Sequence, residues 1–195
     1  MIFEHKSFHF QKVFLAIKSW VDDCPSPAFP VIDASRRIRP HDIVLPALYF
    51  DGAAADGSTG CGAWIKISDK ERIHIHWNGG PGTNNKAEIL ALWGGLFIAI
   101  DFQIQVRSIF GDSQLIIGWI NKGFQMHNQL LMGWKDRILN FWNRLHCPII
   151  KHIFRENNTR ADRLSKLGLV DEFGLMYLTH FADGIMIAEQ SIPIP

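Results

Sequence analysis

From residue 48 onward the apolar positions fall into short and long periods in an orderly succession. Residues 48–53, 62–68 and 72–77 are three short β-rich runs bounded by turn residues, with Ile65/Ile67 and Ile73/Ile75/Trp77 alternating as half-buried strands do. Strands this close in sequence, joined by short turns, predict an antiparallel meander. Residues 84–102 are long enough for a helix and apolar nearly all round, which predicts a well-buried one; Gly94 and Gly95 would let it lie close to a sheet. A strand is expected over 106–111 and a short helix over 114–121, stopped by Lys122-Gly123. Leu130, Trp134, Ile138, Phe141 and Leu145 recur at helical spacing and form the stripe of an amphipathic helix. A strand over 149–154 and a helix over 158–167, with Gly168 as its C-cap, complete the order βββαβααβα. That order describes an α/β fold.

The flanks are less regular. Phe10, Val13, Phe14, Ile17 and Val21 share a helical face within 8–21, and Cys24-Pro25-Ser26-Pro27 stops the pattern; a linker carrying Arg36-Arg37-Ile38-Arg39-Pro40 runs on to Pro46. Residues 1–46 therefore read as an N-terminal helix and linker, 47–168 as one domain, and 169–195 as an apolar tail. The tail holds Leu175, Met176, Tyr177, Leu178, Phe181 and Ile185, and is a candidate for packing on the domain or on a partner protein.

Composition narrows the class. The 195 residues are 47% hydrophobic with a net charge of +1, the balance of an ordinary globular protein. That balance hides an asymmetry: between Lys122 and Lys166 nine Lys and Arg face three Asp and Glu, enough to attract a polyanion or simply to form a solvated basic face. Cys24, Cys61 and Cys147 are odd in number and widely spaced, which argues against a disulfide framework or a zinc site. Lys12 and Lys18 interrupt what would be the core of a signal peptide, and no apolar run reaches membrane-spanning length. An intracellular protein, nuclear or cytoplasmic, and not a membrane protein, is expected.

Candidate chemistry lies in four carboxylates. Asp51 falls in or at the end of the first strand, Glu88 in the first turn of the buried helix, Asp112 at the end of the fourth strand and Asp162 in the last helix. Each has a local explanation. Asp51-Gly52 suits a turn, although Asp56-Gly57 among Ser58, Thr59 and Gly60 suits one better. Asn85-x-x-Glu88 matches a capping box, Asp112 would cap the helix at Gln114, and Asp162 is placed to pair with Lys166. Taken together they read differently. If the first and fourth strands are neighbours, Asp51 and Asp112 lie side by side and the buried helix can deliver Glu88 to them. Converging carboxylates repel unless a cation holds them, and hard oxygen ligands select Mg²⁺ or Mn²⁺, a pair of which suits attack on a phosphodiester.

The segments YFDGAA, GTNNKAEILAL, FGDSQLIIGWI and HIFRENNTRADRLSKLG occur in this order, and with them residues 48–168 resemble the type 1 ribonuclease H domain. The similarity is strongest to plant ribonuclease H-like domains, including those that end the polyproteins of non-LTR retroelements. The resemblance implies a ribonuclease H-like fold with a mixed five-stranded sheet, three antiparallel strands followed by two parallel ones, flanked by helices. It also implies an endonuclease that hydrolyses the RNA strand of RNA/DNA hybrids with two Mg²⁺ ions, Mn²⁺ being a substitute, and leaves a 5′-phosphate and a 3′-hydroxyl. On that reading Asp51 bridges both ions, Asp162 binds the ion that activates the attacking water, and Glu88 with Asp112 binds the ion near the leaving oxygen. Asn84, Asn85 and Gln114 would read the RNA strand through its 2′-hydroxyls, and Gly52 would leave room for the nucleic acid. For the two asparagines, helix capping is the plain alternative.

The chain departs from the family in one loop. RENNTR lacks the histidine that many members carry before the last helix, and His152, inside an apolar run, reads as structural. Trp134, Lys135, Arg137, Trp142 and Arg144 lie where some members carry a basic protrusion; the tryptophans read as core, and the basic residues could meet phosphate. The alternative to the nuclease is a retroelement remnant that binds nucleic acid without cleaving it.

Overall fold

The computed structural model describes residues 43–121 and 129–195. The expected helix over 8–21, the linker with its arginine cluster, Cys24, the Lys122-Gly123 stop and the side chain of Leu130 lie outside these residues. The described elements are β1 (Ala47–Ala55), β2 (Ser58–Lys66), β3 (Glu71–Pro81), α1 (Asn84–Asp101), β4 (Ser108–Gly111), α2 (Gln114–Asn121), α3 (Gln129–Arg144), β5 (Ile149–His152), a 3-10 turn (Arg155–Asn157), α4 (Thr159–Gly168), β6 (Leu175–Ala182) and β7 (Ile185–Pro193).

They build one mixed sheet in the order β5-β4-β1-β2-β3-β6-β7. The meander β1-β2-β3 is antiparallel, as its periodicity predicts, and β4 pairs with β1 and β5 with β4, both parallel, as the family resemblance implies. The count of five strands is corrected to seven, because β6 pairs with β3 and β7 with β6, both antiparallel. These two strands come from the stretch read as an apolar tail. Apolar residues on both of its faces blur the alternation, yet only Met176 and Leu178 are buried. Its turn was legible: Asp183 and Gly184, with φ of 49° and 81°, repeat the conformation of Asp56 and Gly57 at 51° and 78°.

The sheet has a different helix on each face. Alternation along β1 turns Gly52 toward α1 and Asp51 toward α4, and Gly62, paired with Asp51, also abuts α4. Under α1 lie Leu48, Phe50, Ile65, Ile75 and Trp77, all buried. Gly94 lets α1 settle there: a Cβ at that position would lie 2.2 Å from the Trp77 ring. α3 packs on α1 from outside, with Trp93 edge-on to Trp134 at 5.3 Å, and Trp142 and Ile138 buried. Gly168 has a different job from the one expected. α4 is capped by Leu169 in ordinary right-handed conformation, and a Cβ on Gly168 would lie 2.5 Å from the Trp77 carbonyl oxygen. Glycine is needed there because α4 touches the sheet's backbone, and not for a left-handed turn. Among the described residues no helix is long and apolar enough to cross a membrane.

Candidate active site

Asp51 is a strand residue. It sits within β1 opposite Gly62, and Asp56-Gly57 makes the turn. β1 and β4 run parallel with Tyr49 beside Phe110. Two residues further along each chain, Asp51 and Asp112 emerge on the same face of the sheet.

The local explanations for Glu88 and Asp112 give way to neighbouring residues. α1 is capped by Thr83, whose Oγ1 accepts from the Lys86 N–H at 3.4 Å, so neither Glu88 nor Asn84 and Asn85 are needed as caps. Ser113, just before α2, accepts through Oγ from the Ile116 N–H at 3.4 Å, which leaves the Asp112 carboxylate free of that task. Glu88 reaches the sheet because residue 52 is glycine: a Cβ there would lie 2.1 Å from the Glu88 backbone nitrogen. As a result one carboxylate oxygen from each of Asp51, Glu88 and Asp112 lies within 4.8 Å of the others.

A hydrogen-bonded frame holds the three. The buried Asn158 donates through Nδ2 to the Phe50 carbonyl at 2.9 Å and to Asp112 Oδ1 at 3.2 Å. Ser165 Oγ lies 2.6 Å from Asp51 Oδ2 and 2.9 Å from the Asp162 carbonyl. His152, read as structural, donates through Nε2 to the Asp112 carbonyl at 3.1 Å. Ser165 and Asn158 were not picked out from the sequence. Both lie inside the last of the four segments, HIFRENNTRADRLSKLG, which was the available signal.

The electrostatics of the cluster are unfavourable without a cation. Burial, opposed by the Ser165 hydroxyl and reinforced by the charges of Asp112 and Asp162, pushes Asp51 up to about 7. Burial and the charges of Asp51 and Asp112 push Glu88 up to about 9. Its Oε2 is shut off from solvent and has no hydrogen-bond partner. Three carboxylates that offer hard oxygen donors, one of which, Glu88, carries an unpaired buried oxygen, fit a divalent cation such as Mg²⁺ or Mn²⁺.

Asp162 stands beside this cluster rather than within it. Its charge is felt at Asp51, but Oδ1 accepts from Arg155 at 2.6 Å and Oδ2 from Lys166 at 2.6 Å. Burial works against its ionisation, yet these two bonds hold it below the ordinary aspartate range. Both cations are largely exposed, so the pairs are weak tethers. Of the remaining predicted residues, Asn84 and Asn85 open α1 and Gln114 opens α2, at the same ends of these helices as Glu88 and Asp112; Asn84 and Gln114 are exposed.

Residues 50–168 match the family model described as reverse transcriptase-like. A ribonuclease HI of Halobacterium salinarum is 30% identical over 151 residues, covering 75% of this chain and 72% of that protein. Among solved structures, RNase H1 from the halophilic archaeon Halobacterium salinarum NRC-1 is 26% identical with a TM-score of 0.54, covering 63% of this chain and 96% of that one. LC11-RNase H1, isolated from compost by a metagenomic approach, is 26% identical with a TM-score of 0.57, covering 63% and 94%. LC11-RNase H1 has also been solved in complex with an RNA/DNA hybrid, and that structure matches at 24% identity and a TM-score of 0.57, covering 63% and 95%.

Proposed function

This chain belongs to the type 1 ribonuclease H family, and from that premise we propose that it is an endonuclease hydrolysing the RNA strand of RNA/DNA hybrids. The observation that carries the reading is the meeting of Asp51, Glu88 and Asp112. A protein that only bound nucleic acid would gain nothing from aiming three acids, two of them resisting ionisation, at a phosphate backbone. The relative named ribonuclease HI supports the activity, and the hybrid complex of LC11-RNase H1 supports the substrate class for the fold.

In the proposed mechanism Asp51, Glu88 and Asp112 would hold divalent ions, Mg²⁺ or Mn²⁺, and Asp162, now paired with Arg155 and Lys166, would be a fourth ligand. Two such ions, when bound, would supply the Lewis acidity that lowers the pKa of the attacking water and neutralises charge on the scissile phosphate. The chain's part is positioning. Ser165 fixes the Asp51 carboxylate, and Asn158 ties Asp112 to the Phe50 carbonyl across the β1–β4 junction. Glu88 is held against the sheet by the close approach at Gly52. Asn84, Asn85 and Gln114, at the openings of α1 and α2, are assigned to the RNA strand, whose 2′-hydroxyl is what separates RNA from DNA. The products are a 5′-phosphate and a 3′-hydroxyl.

One observation favours the alternative of a non-catalytic binder: both Asp162 oxygens are engaged by cations of the chain itself. The two readings part on substrate. Incubation of the whole chain with Mg²⁺ and labelled hybrid, single-stranded RNA or duplex DNA should give RNA fragments bearing 5′-phosphates from the hybrid alone. Hybrid that is bound and never cut, in Mg²⁺ or Mn²⁺, would establish the binder instead.

A further inference from the structure

On the face of the sheet that carries α4, two arginines lie over aromatic rings. The Arg72 guanidinium is 4.8 Å from the centre of Phe181, and Arg160, on α4, is 4.6 Å from the centre of Trp64. Between them stands His74, directly across from Trp64 in the β2–β3 register and 4.7 Å from the Phe181 ring. His74 feels both: burial first, then Arg160 and Arg72, holds its ring down to about 4. Among the described residues neither arginine has a carboxylate partner. Arg72 Nε, His74 Nε2 and Trp64 Nε1 are all shut off from solvent with no hydrogen-bond partner.

Unpaired donors in a partly buried setting are costly, and two guanidiniums held near one another add repulsion. A solvated basic face would not have that form: its cations would stand apart in water with their nitrogens wet. An acceptor with two negative charges and several oxygens would relieve the repulsion, since the terminal guanidinium nitrogens, which are not among the shut-off atoms, match phosphate oxygens. The rings beneath keep the forks from turning away. We infer that Arg72, His74 and Arg160, seated on Trp64 and Phe181, form a second site that binds a phosphate group, either free phosphate or the phosphate of a nucleic acid. The site does not depend on the nuclease reading, because it shares no ligand with the three acids and needs no metal.

The test is a titration of the whole chain, metal-free and ¹⁵N-labelled, at constant ionic strength, following the Trp64 indole N–H signal as identified by Trp64→Phe. The probes are inorganic phosphate, acetate, and one single-stranded oligonucleotide with and without a 5′-phosphate. Phosphate should move the signal saturably, and Arg160→Gln, which alters an exposed residue and should keep the wild-type melting temperature, should weaken it roughly tenfold to a hundredfold, as loss of one charge-assisted bond does. Arg72→Gln should do the same. Tighter binding of the 5′-phosphorylated oligonucleotide than of phosphate would make nucleic acid the source; equal binding would make it free phosphate. An unmoved signal, an equal response to acetate, or undiminished binding by Arg160→Gln would overturn the site.

Discussion

Ionising Glu88 and Asp51 costs the folded chain more than the unfolded one, and the sign of the resulting pH dependence follows. Their folded values, about 9 and about 7, lie above the ordinary carboxylate range near 4. Between those limits the folded state binds more protons than the unfolded state, so metal-free stability falls as pH rises from about 4 to about 9. Thermal melts of the metal-free chain should show that decline, Glu88→Gln should flatten it, and Mg²⁺ should raise the melting point most at the alkaline end. A melting temperature that climbs through this window would contradict the assignment. Ser165→Ala removes the hydroxyl that favours the Asp51 anion. Cleavage should drop about 10- to 100-fold, as loss of a residue supporting a metal ligand does, and the pH–rate profile should move to higher pH. A fall in rate with an unmoved profile would make Ser165 merely structural. Asn158→Ala breaks the bonds to Phe50 and Asp112 and should cost about 1 to 3 kcal/mol in denaturant unfolding.

At the scale of elements, the site depends on how closely α1 and α4 approach the sheet. Gly52→Ala would place a methyl 2.1 Å from the Glu88 nitrogen, a contact that backbone must yield to. The variant should lose about 1 to 3 kcal/mol of stability and much of its metal response, whereas alanine at the open turn position Gly184 or Gly57 should spare the metal response. β6 covers the far side of β3 with Met176 and Leu178, so Leu178→Ala should cost about 2 to 5 kcal/mol, measured by denaturant unfolding. β3, α3 and α4 were legible because each buries one face in a regular rhythm, whereas α1 and β4, buried nearly all round, were legible from apolar length and the turn residues that bound them. The capping alternatives fall where two residues compete: Thr83 and Ser113 hold the helix starts that Asn85-x-x-Glu88 and Asp112 were also placed to hold. Only the backbone path decides which of two adjacent polar residues turns back onto the helix. β6 and β7 escaped notice because β7 is exposed along most of its length and has no buried face to set a period.

Over the whole molecule, the catalytic reading rests on contacts between residues distant in sequence. Asp51 and Ser165, 114 residues apart, meet because α4 returns across the first strand, and Asn158 reaches Phe50 over 108 residues. Three of the four carboxylates named from the sequence meet; the fourth is held by Arg155 and Lys166, an arrangement that the pairing of Asp162 with Lys166 foreshadowed only in part. The most direct test is cleavage of the RNA strand of a labelled RNA/DNA hybrid in Mg²⁺, comparing the whole chain with Asp112→Asn. The account predicts hybrid cleavage by the natural chain and its loss in the variant, with the melting temperature of the metal-free variant preserved or raised. Equal cleavage by a folded Asp112→Asn variant, or binding of hybrid by the natural chain with no cuts, would contradict it.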